Sequence, residues 1–270
     1  MKVVVLGGTG MLGNAVVKYF EACPEYDIYT SFRNENVKLG TNTFYFDPLV
    51  NDTWKNIPTD ADYILNCIGT IKPFMANNLR NSIYINSVFP HDLAQQYNNV
   101  IHITTDCVFS GKTGKYDETS LHDALDEYGK SKSLGECPKH AMVLRTSIIG
   151  EEIHKNASLI EWAKSQRGKT VQGFTHHLWN GITTHQYAKV CDTIIRQKLY
   201  AKGLFHIHAK DTVNKYELLQ IINAIFELNL TVNATNSIGS PCDRSLTTIY
   251  DLSAKLDIPT ISDMLRQLKK

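Results

Sequence analysis

The sequence predicts an α/β fold, a doubly wound parallel sheet with a smaller C-terminal lobe. Three observations carry this prediction: short β-branched runs alternate with longer amphipathic stretches, the first run ends in a glycine-rich turn, and the alternation loosens after residue 148. Taken in order, strands are expected at residues 2–6, 27–32, 43–46, 62–67, 99–104 and 141–146, with amphipathic segments between most of them. Strand, crossover helix, strand, repeated about six times, describes a parallel sheet covered on both faces with right-handed crossovers. Beyond residue 148 come a stretch bearing Asn, His and Gly, a helix near 184–197, a strand at 204–208 and a helix near 214–227. The core is therefore placed at 1–148 and the lobe mainly at 149–270, with residues 184–208 returning to the core. Neither an internal repeat nor a low-complexity linker separates the two, so they are expected to share an interface.

Composition narrows the function classes. A chain of 270 residues with 43% hydrophobic and 20% charged residues can bury a sizeable core. No apolar run approaches the roughly 18 residues that a membrane helix needs. The opening MKVVVLGG runs straight into glycines, so it reads as a first strand and not as a signal peptide, and a cytoplasmic protein is expected. Lys plus Arg (28) nearly balances Asp plus Glu (27), and without a basic stripe nucleic acid is not an expected partner. Cys23, Cys67, Cys107, Cys137, Cys191 and Cys242 form no CxxC pair, which suits reduced thiols and gives no framework for a metal.

The first chemical motif is Val3-Val4-Val5-Leu6-Gly7-Gly8-Thr9-Gly10-Met11-Leu12-Gly13. A buried-type strand ends in glycines at three-residue spacing and opens a helix. Gly7 permits the tight turn, Gly10 lets the backbone approach a pyrophosphate, and Gly13 lets helix and strand pack closely. The phosphates would sit on free N–H groups at the helix N-terminus, here those around Thr9, Met11 and Leu12. This is the dinucleotide-binding, Rossmann-type arrangement. Cofactor choice is read at the tip of the second strand, where an acidic residue would bind the ribose 2′-OH of NAD. Here Ser31 and Arg33 offer a hydroxyl and a cation, which favours the 2′-phosphate of NADP(H) over NAD(H).

The second constellation is Thr104-Thr105-Asp106-Cys107-Val108-Phe109 at the end of the fifth strand, followed by Tyr128-Gly129-Lys130-Ser131-Lys132. On a helix, positions i and i+4 share a face, so Tyr128 and Lys132 project into one cleft. A phenol titrates near 10, and a neighbouring ammonium is expected to lower it. Lys132 would also hold the nicotinamide ribose. Thr105 would hydrogen-bond the substrate oxygen while Tyr128 delivers its proton.

Together these stretches resemble the extended branch of the short-chain dehydrogenase/reductase superfamily, and within it the dTDP-4-dehydrorhamnose reductase family. The likeness also runs through Asn66-Cys67-Ile68-Gly69, Tyr84-Ile85-Asn86-Ser87-Val88-Phe89-Pro90, Arg145-Thr146-Ser147 and, later, Gly203 to His208 and Lys215 to Leu219. The resemblance implies an NADP-dependent oxidoreductase that reduces the 4-keto group of a dTDP- or UDP-linked 4-keto-6-deoxy sugar, as in deoxysugar biosynthesis. It implies Thr105, Tyr128 and Lys132 as the catalytic triad, Asp47 near the adenine, and Cys67, Ile68 and Gly69 at the cofactor ribose. Asn86 would support the active-site helix, and a homodimer through helices is a further implication.

Departures fall on the substrate side. Ala124 stands where the family commonly has proline, Ser240-Pro241 where it has Arg-Pro, with Arg244 out of register, and His176 to Thr184 where it has a Gly-x-Pro-Thr-type turn. Trp179 is a candidate to stack on a uracil or thymine ring, His176 to contact a phosphate, and Asn180 to line the substrate site. A buried Trp and a helix start capped at Thr183 or Thr184 are the plainer alternatives. His206 and His208 alternate on a strand and read as packing residues.

Cys107 lies two positions after Thr105, the spacing at which the GDP-fucose synthases and plant-type rhamnose epimerase/reductases that this segment resembles carry a catalytic cysteine. Were it lowered by Lys132 and a cationic nicotinamide, its thiolate would exchange protons at C3 or C5 before reduction. His154, Lys155 and Lys164 lie in the stretch expected to hold the partner acid, and a buried filler role is the alternative. Two other functions fit the same fold: a nucleotide-sugar 4-epimerase retaining NAD, better served by an acidic residue in place of Arg33, and a non-catalytic regulatory subunit, as in the β subunit of methionine adenosyltransferase.

Overall fold

In the computed structural model, which describes residues 1–33, 42–152, 158–236 and 239–269, the sheet order follows from the connections. The strands β1 (Lys2–Leu6), β2 (Asp27–Phe32), β3 (Thr43–Tyr45), β4 (Tyr63–Asn66), β5 (Val100–Thr105), β6 (Met142–Thr146) and β7 (Gly203–His206) form one seven-stranded sheet ordered 7-6-5-4-1-2-3. Every pair in it is parallel. The chain winds outward from β1 in one direction and from β4 in the other, so a crevice opens between the ends of β1 and β4, where such sheets bind ligands.

β1 shows why this segment is a central strand. Val3 and Val5 enter one core with Leu12, Val16 and Phe20 of the Met11–Glu21 helix, while Val4 and Leu6 enter the opposite core with Phe46, Phe89 and Leu93. Both faces are therefore apolar, as a buried parallel strand requires. The Thr184–Arg196 helix packs on the same layer as Met11–Glu21. Its Asp192 accepts from Tyr19 at 2.9 Å, Tyr26 at 2.5 Å and Arg196 at 2.6 Å, so a buried carboxylate ties the two helices.

The remaining strands are short. Thr170–Phe174 pairs in parallel with Thr231–Thr235, and Ile148–Ile149 with Ile182–Thr183. His177–Trp179 lies between Val213–Asn214, antiparallel to it, and Cys242–Asp243, parallel to it. The Lys215–Phe226 helix begins in a capping box in which Asn214 and Glu217 satisfy each other's backbone at 2.9 Å. Among the described residues no helix is long and apolar enough to cross a membrane.

Candidate active site

The glycine turn sits at the crevice. Gly7 has φ +86°, and a Cβ on Gly13 would stand 2.1 Å from the Gly7 carbonyl oxygen, so both positions demand glycine for the protein's own geometry. A Cβ on Gly10 would meet only that same oxygen at 3.4 Å, an ordinary contact. The glycine there is explained by what approaches from outside. Gly10 caps the Met11–Glu21 helix without a side-chain hydrogen bond and no acidic residue lies in the first turn, so its N–H groups are open to an anion. Thr9 and Met11 are half-buried, whereas Leu12 is buried in the core and offers only its backbone.

Ser31 is placed differently from the expectation at the strand tip. It is 1% exposed, and its Oγ accepts from the Gly7 N–H at 2.8 Å. It braces the glycine turn, and of the pair only Arg33 is exposed for a 2′-phosphate. Asp47 is half-buried, and its Oδ1 accepts from the Leu49 N–H at 2.9 Å. Cys67 and Ile68 are half-buried after β4 and Gly69 is exposed, with the Lys132 ammonium 3.9 Å from where a Gly69 Cβ would be. Asn86, fully buried in a π-helical turn, joins this loop to the Glu127–Leu134 helix: its amide donates to Thr70 O at 2.9 Å and Ser131 Oγ at 3.1 Å, and accepts from Thr70 N–H at 2.9 Å. The glycine cradle, the open helix end and the loop around Gly69 fit a dinucleotide.

The Glu127–Leu134 helix starts at Asp126, whose Oδ1 accepts from the Gly129 N–H at 2.8 Å. It brings Tyr128 to the end of β5, where the Thr105 hydroxyl lies between three groups. Asp106 Oδ1 accepts from it at 3.1 Å, the Cys107 N–H donates to it at 3.1 Å, and the Tyr128 phenol lies near enough to be drawn down by it. Lys132 is 5% exposed and donates to the Ile103 carbonyl of β5 at 3.0 Å. The triad is thus gathered on one strand end.

Its electrostatics differ from the expectation. Burial, then the neighbouring Cys107, pushes the Tyr128 phenol up, and Lys132 is not among the leading influences on it. Burial lowers Lys132 itself to about 8, against the raising effect of Glu136. The phenol therefore stays protonated through the neutral range, the state of a proton donor. Cys107 is likewise corrected. Burial and the Asp106 charge push its thiol up to about 12, and the cation that opposes this is Arg244, whose Nη1 reaches Sγ at 3.8 Å, rather than Lys132. His154 and Lys155 lie outside the described residues, and Lys164 is paired with Glu151 and Glu161.

Of the three substrate-side candidates, two are structural. Trp179 is 6% exposed within the main core, and Asn180 spends its amide on the Leu246 backbone, donating at 2.8 Å and accepting at 2.9 Å. Thr183 caps the following helix by accepting from the Gln186 N–H at 3.1 Å. Both ring nitrogens of His176 are buried without a partner among the described residues. His206 is more than packing: Arg145, fully buried, donates to its Nε2 at 2.7 Å and grips Glu136 through Nε and Nη2 at 3.0 and 2.6 Å. Burial and that guanidinium lower His206 to about 4.

Two cations escaped the sequence reading as site residues. Lys215 and Arg244 come from the lobe to the Asp106–Cys107 segment. Only the mixed pairing around His177–Trp179 brings them there, and no spacing in the sequence signals it.

Residues 1–245 match the family model described as the RmlD substrate binding domain. The methionine adenosyltransferase 2 subunit beta of Danio rerio is 28% identical over 245 residues, 84% of this chain and 74% of that protein. A dTDP-4-dehydrorhamnose reductase of Aggregatibacter actinomycetemcomitans is 30% identical over 129 residues, 44% of each chain. Among solved structures, a dTDP-4-dehydrorhamnose reductase of Bacillus anthracis in complex with NADP superposes with TM-score 0.77 at 17% identity, covering 99% of this chain and 98% of that one. With the family model spanning both the glycine turn and the Tyr128–Lys132 helix, the chain belongs to the RmlD substrate binding domain family.

Proposed function

We propose that this protein is an NADPH-dependent reductase of the 4-keto group of a nucleotide-linked sugar, the 4-keto-6-deoxy class being what the family resemblance implies. The observation that carries the reading is the meeting of the Tyr128 phenol, kept protonated by burial, with the Thr105 hydroxyl beside buried Lys132. The N–H groups around Gly10 and Met11 would hold the pyrophosphate, Arg33 the 2′-phosphate, and Lys132 the nicotinamide ribose. When bound, NADPH supplies the hydride to C4. Tyr128 gives its proton to the C4 oxygen as negative charge develops there, and Thr105 steadies that oxygen. Proton exchange at C3 or C5 is the weaker part of the reading, because a thiol at about 12 leaves little thiolate at neutral pH. The test is NADPH oxidation followed at 340 nm, roughly the absorbance maximum of reduced nicotinamide, with dTDP- and UDP-linked 4-keto-6-deoxyhexoses side by side. Turnover with one of them supports the reading.

One observation favours a second reading, a non-catalytic regulatory subunit. The likeness to the methionine adenosyltransferase β subunit extends over 84% of the chain, that to the curated reductase over 44%. NADPH binding without oxidation across the panel, together with a stable complex with a methionine adenosyltransferase catalytic subunit, would establish it. A 4-epimerase would instead carry NAD through purification, visible in the absorbance of the isolated protein.

A further inference from the structure

Lys215 and Arg244 are cations of the cleft that the proposed reduction does not use. The three-stranded sheet of the lobe delivers them together: Lys215 follows Val213–Asn214 and Arg244 follows Cys242–Asp243, the strands on either side of His177–Trp179. Lys215 Nζ stands 5.6 Å from the centre of the Trp179 ring. Arg244 donates from Nε to the Phe109 carbonyl at 2.8 Å and reaches Cys107 Sγ from Nη1 at 3.8 Å, and among the described residues Nη2 has no bonded partner.

Neither cation forms an ion pair among the described residues. The charge of buried Asp106 reaches both cations and that of Asp126 reaches Arg244, but neither carboxylate is bonded to them. Asp106 accepts from Thr105 and is pushed up by burial, and Asp126 accepts from the Gly129 N–H and from the Lys72 ammonium at 2.9 Å. Burial lowers Lys215. Two partly desolvated cations without a bonded counter-ion are costly unless a ligand completes them.

We propose that Lys215 and Arg244 hold a carboxylate at C6 of the sugar, so that the substrate is a nucleotide-linked 4-keto uronate and not a 6-deoxy sugar. The inference rests on the nucleotide-sugar reductase reading and narrows its substrate. The position follows from the Asp106–Cys107 segment. The Cys107 N–H bonds the Thr105 hydroxyl and its Sγ meets Arg244, so Arg244 stands beside the Thr105 end of β5, and Lys215 lies within reach of the charges of Asp106 and Cys107 on the same segment. In a nucleotide-linked hexose the diphosphate leaves from C1, across the ring from C4. The substituents beside C4 are the C3 hydroxyl, which is neutral, and C6, which can carry a carboxylate. A C6 methyl would strip water from both cations and return nothing, whereas a carboxylate gains charge-assisted bonds from each.

The test is calorimetric titration of the NADP-loaded protein with glucose and glucuronate, each linked to UDP, dTDP or GDP. The glucuronate is expected to bind at least about tenfold more tightly than the glucose on the same nucleotide, the scale of one such charged interaction. Lys215→Met and Arg244→Met are each expected to erase that difference, and Arg244→Lys to restore part of it. NADPH binding by every variant shows that it is folded. Equal binding of glucose and glucuronate would overturn the inference and leave the reductase reading standing. Parallel loss of both ligands in the variants would assign the cations to the diphosphate and also overturn it. Failure of every nucleotide sugar to bind a protein that binds NADPH would remove the reductase reading itself, and the inference with it.

Discussion

In the proposed function the cofactor end of the cleft is built mainly of main-chain atoms, within residues 7–13 and 67–70. The proposed substrate end is built of side chains, those of Thr105, Tyr128, Lys215 and Arg244, which stand on four separate segments of the fold. The first end follows from a local rule, since glycine spacing after a buried strand shapes the turn wherever the strand goes. The second end exists only when β5, the Glu127–Leu134 helix and the small lobe sheet dock. The cofactor end should therefore fail through geometry when a Cβ is added. The substrate end should fail through chemistry when a single polar atom is removed.

The largest effect is expected at the substrate end. Tyr128→Phe deletes one oxygen and keeps the ring, so NADPH should still bind while kcat falls at least about 10²-fold. Stopped-flow NADPH binding with steady-state turnover measures both, and turnover near the wild-type rate would remove Tyr128 as the proton donor. At the cofactor end, Gly13→Ala puts a methyl group 2.1 Å from the Gly7 carbonyl oxygen. Overpacking of this kind costs about 1–3 kcal/mol, so Tm should drop and NADPH binding weaken together. An unchanged Tm with unchanged affinity would mean that the turn is not shaped by this approach.

Arg33→Ala probes the side chain proposed to hold the 2′-phosphate. It should raise KM for NADPH about tenfold and leave NADH nearly unaffected, because only NADPH carries the 2′-phosphate. Equal changes would make Arg33 a surface charge. A milder signature comes from pH. Lys132, lowered to about 8 by burial, is cationic below that value and neutral above it. With the charge needed to hold the ribose, kcat/KM for NADPH should fall as pH rises through about 8, and a profile flat to pH 9.5 or so would free Lys132 from that role. The smallest effect belongs to Cys107→Ala. With its thiol at about 12, the residue should matter little to reduction, and NMR in D₂O with oxidised cofactor should show no deuterium entering at C3 or C5. Wash-in that vanishes in the variant would restore it as an epimerising base.

Legibility followed the same division. The six core strands, the glycine turn and the Tyr128–Lys132 helix could be placed from periodicity and spacing, to within a residue or two at their ends. β3 closes at Tyr45 and β5 runs on to Thr105. Ser31 was misplaced because a hydroxyl at a strand tip reads alike whether it turns outward to a phosphate or inward to the Gly7 N–H. Trp179 reads equally as a ligand or as core, and Asn180 reads as lining the substrate site; the structure places Trp179 in the core and Asn180 on the Leu246 backbone, positions set by packing that no local pattern reports. The phenol was expected to be lowered by a lysine one turn away. Adjacency on a helix says nothing about desolvation, and here burial outweighs it.

What the sequence determined by itself is the set of local consequences: which runs alternate to fill two faces of a sheet, which glycines the turn cannot lose, and which tyrosine and lysine share a helical face. These depend on bond geometry and a repeat of a few residues, so they hold wherever the segment lies. The tertiary structure alone decided the charge states and the company each group keeps. Burial raises Tyr128 and Cys107 and lowers Lys132. Arg244 reaches Cys107 from 137 positions away along the chain, and the charge of Lys215 is felt there from 108 positions away, through strand pairings whose register no local pattern encodes. Desolvation and long-range charge depend on everything packed around a group, and that is a property of the fold.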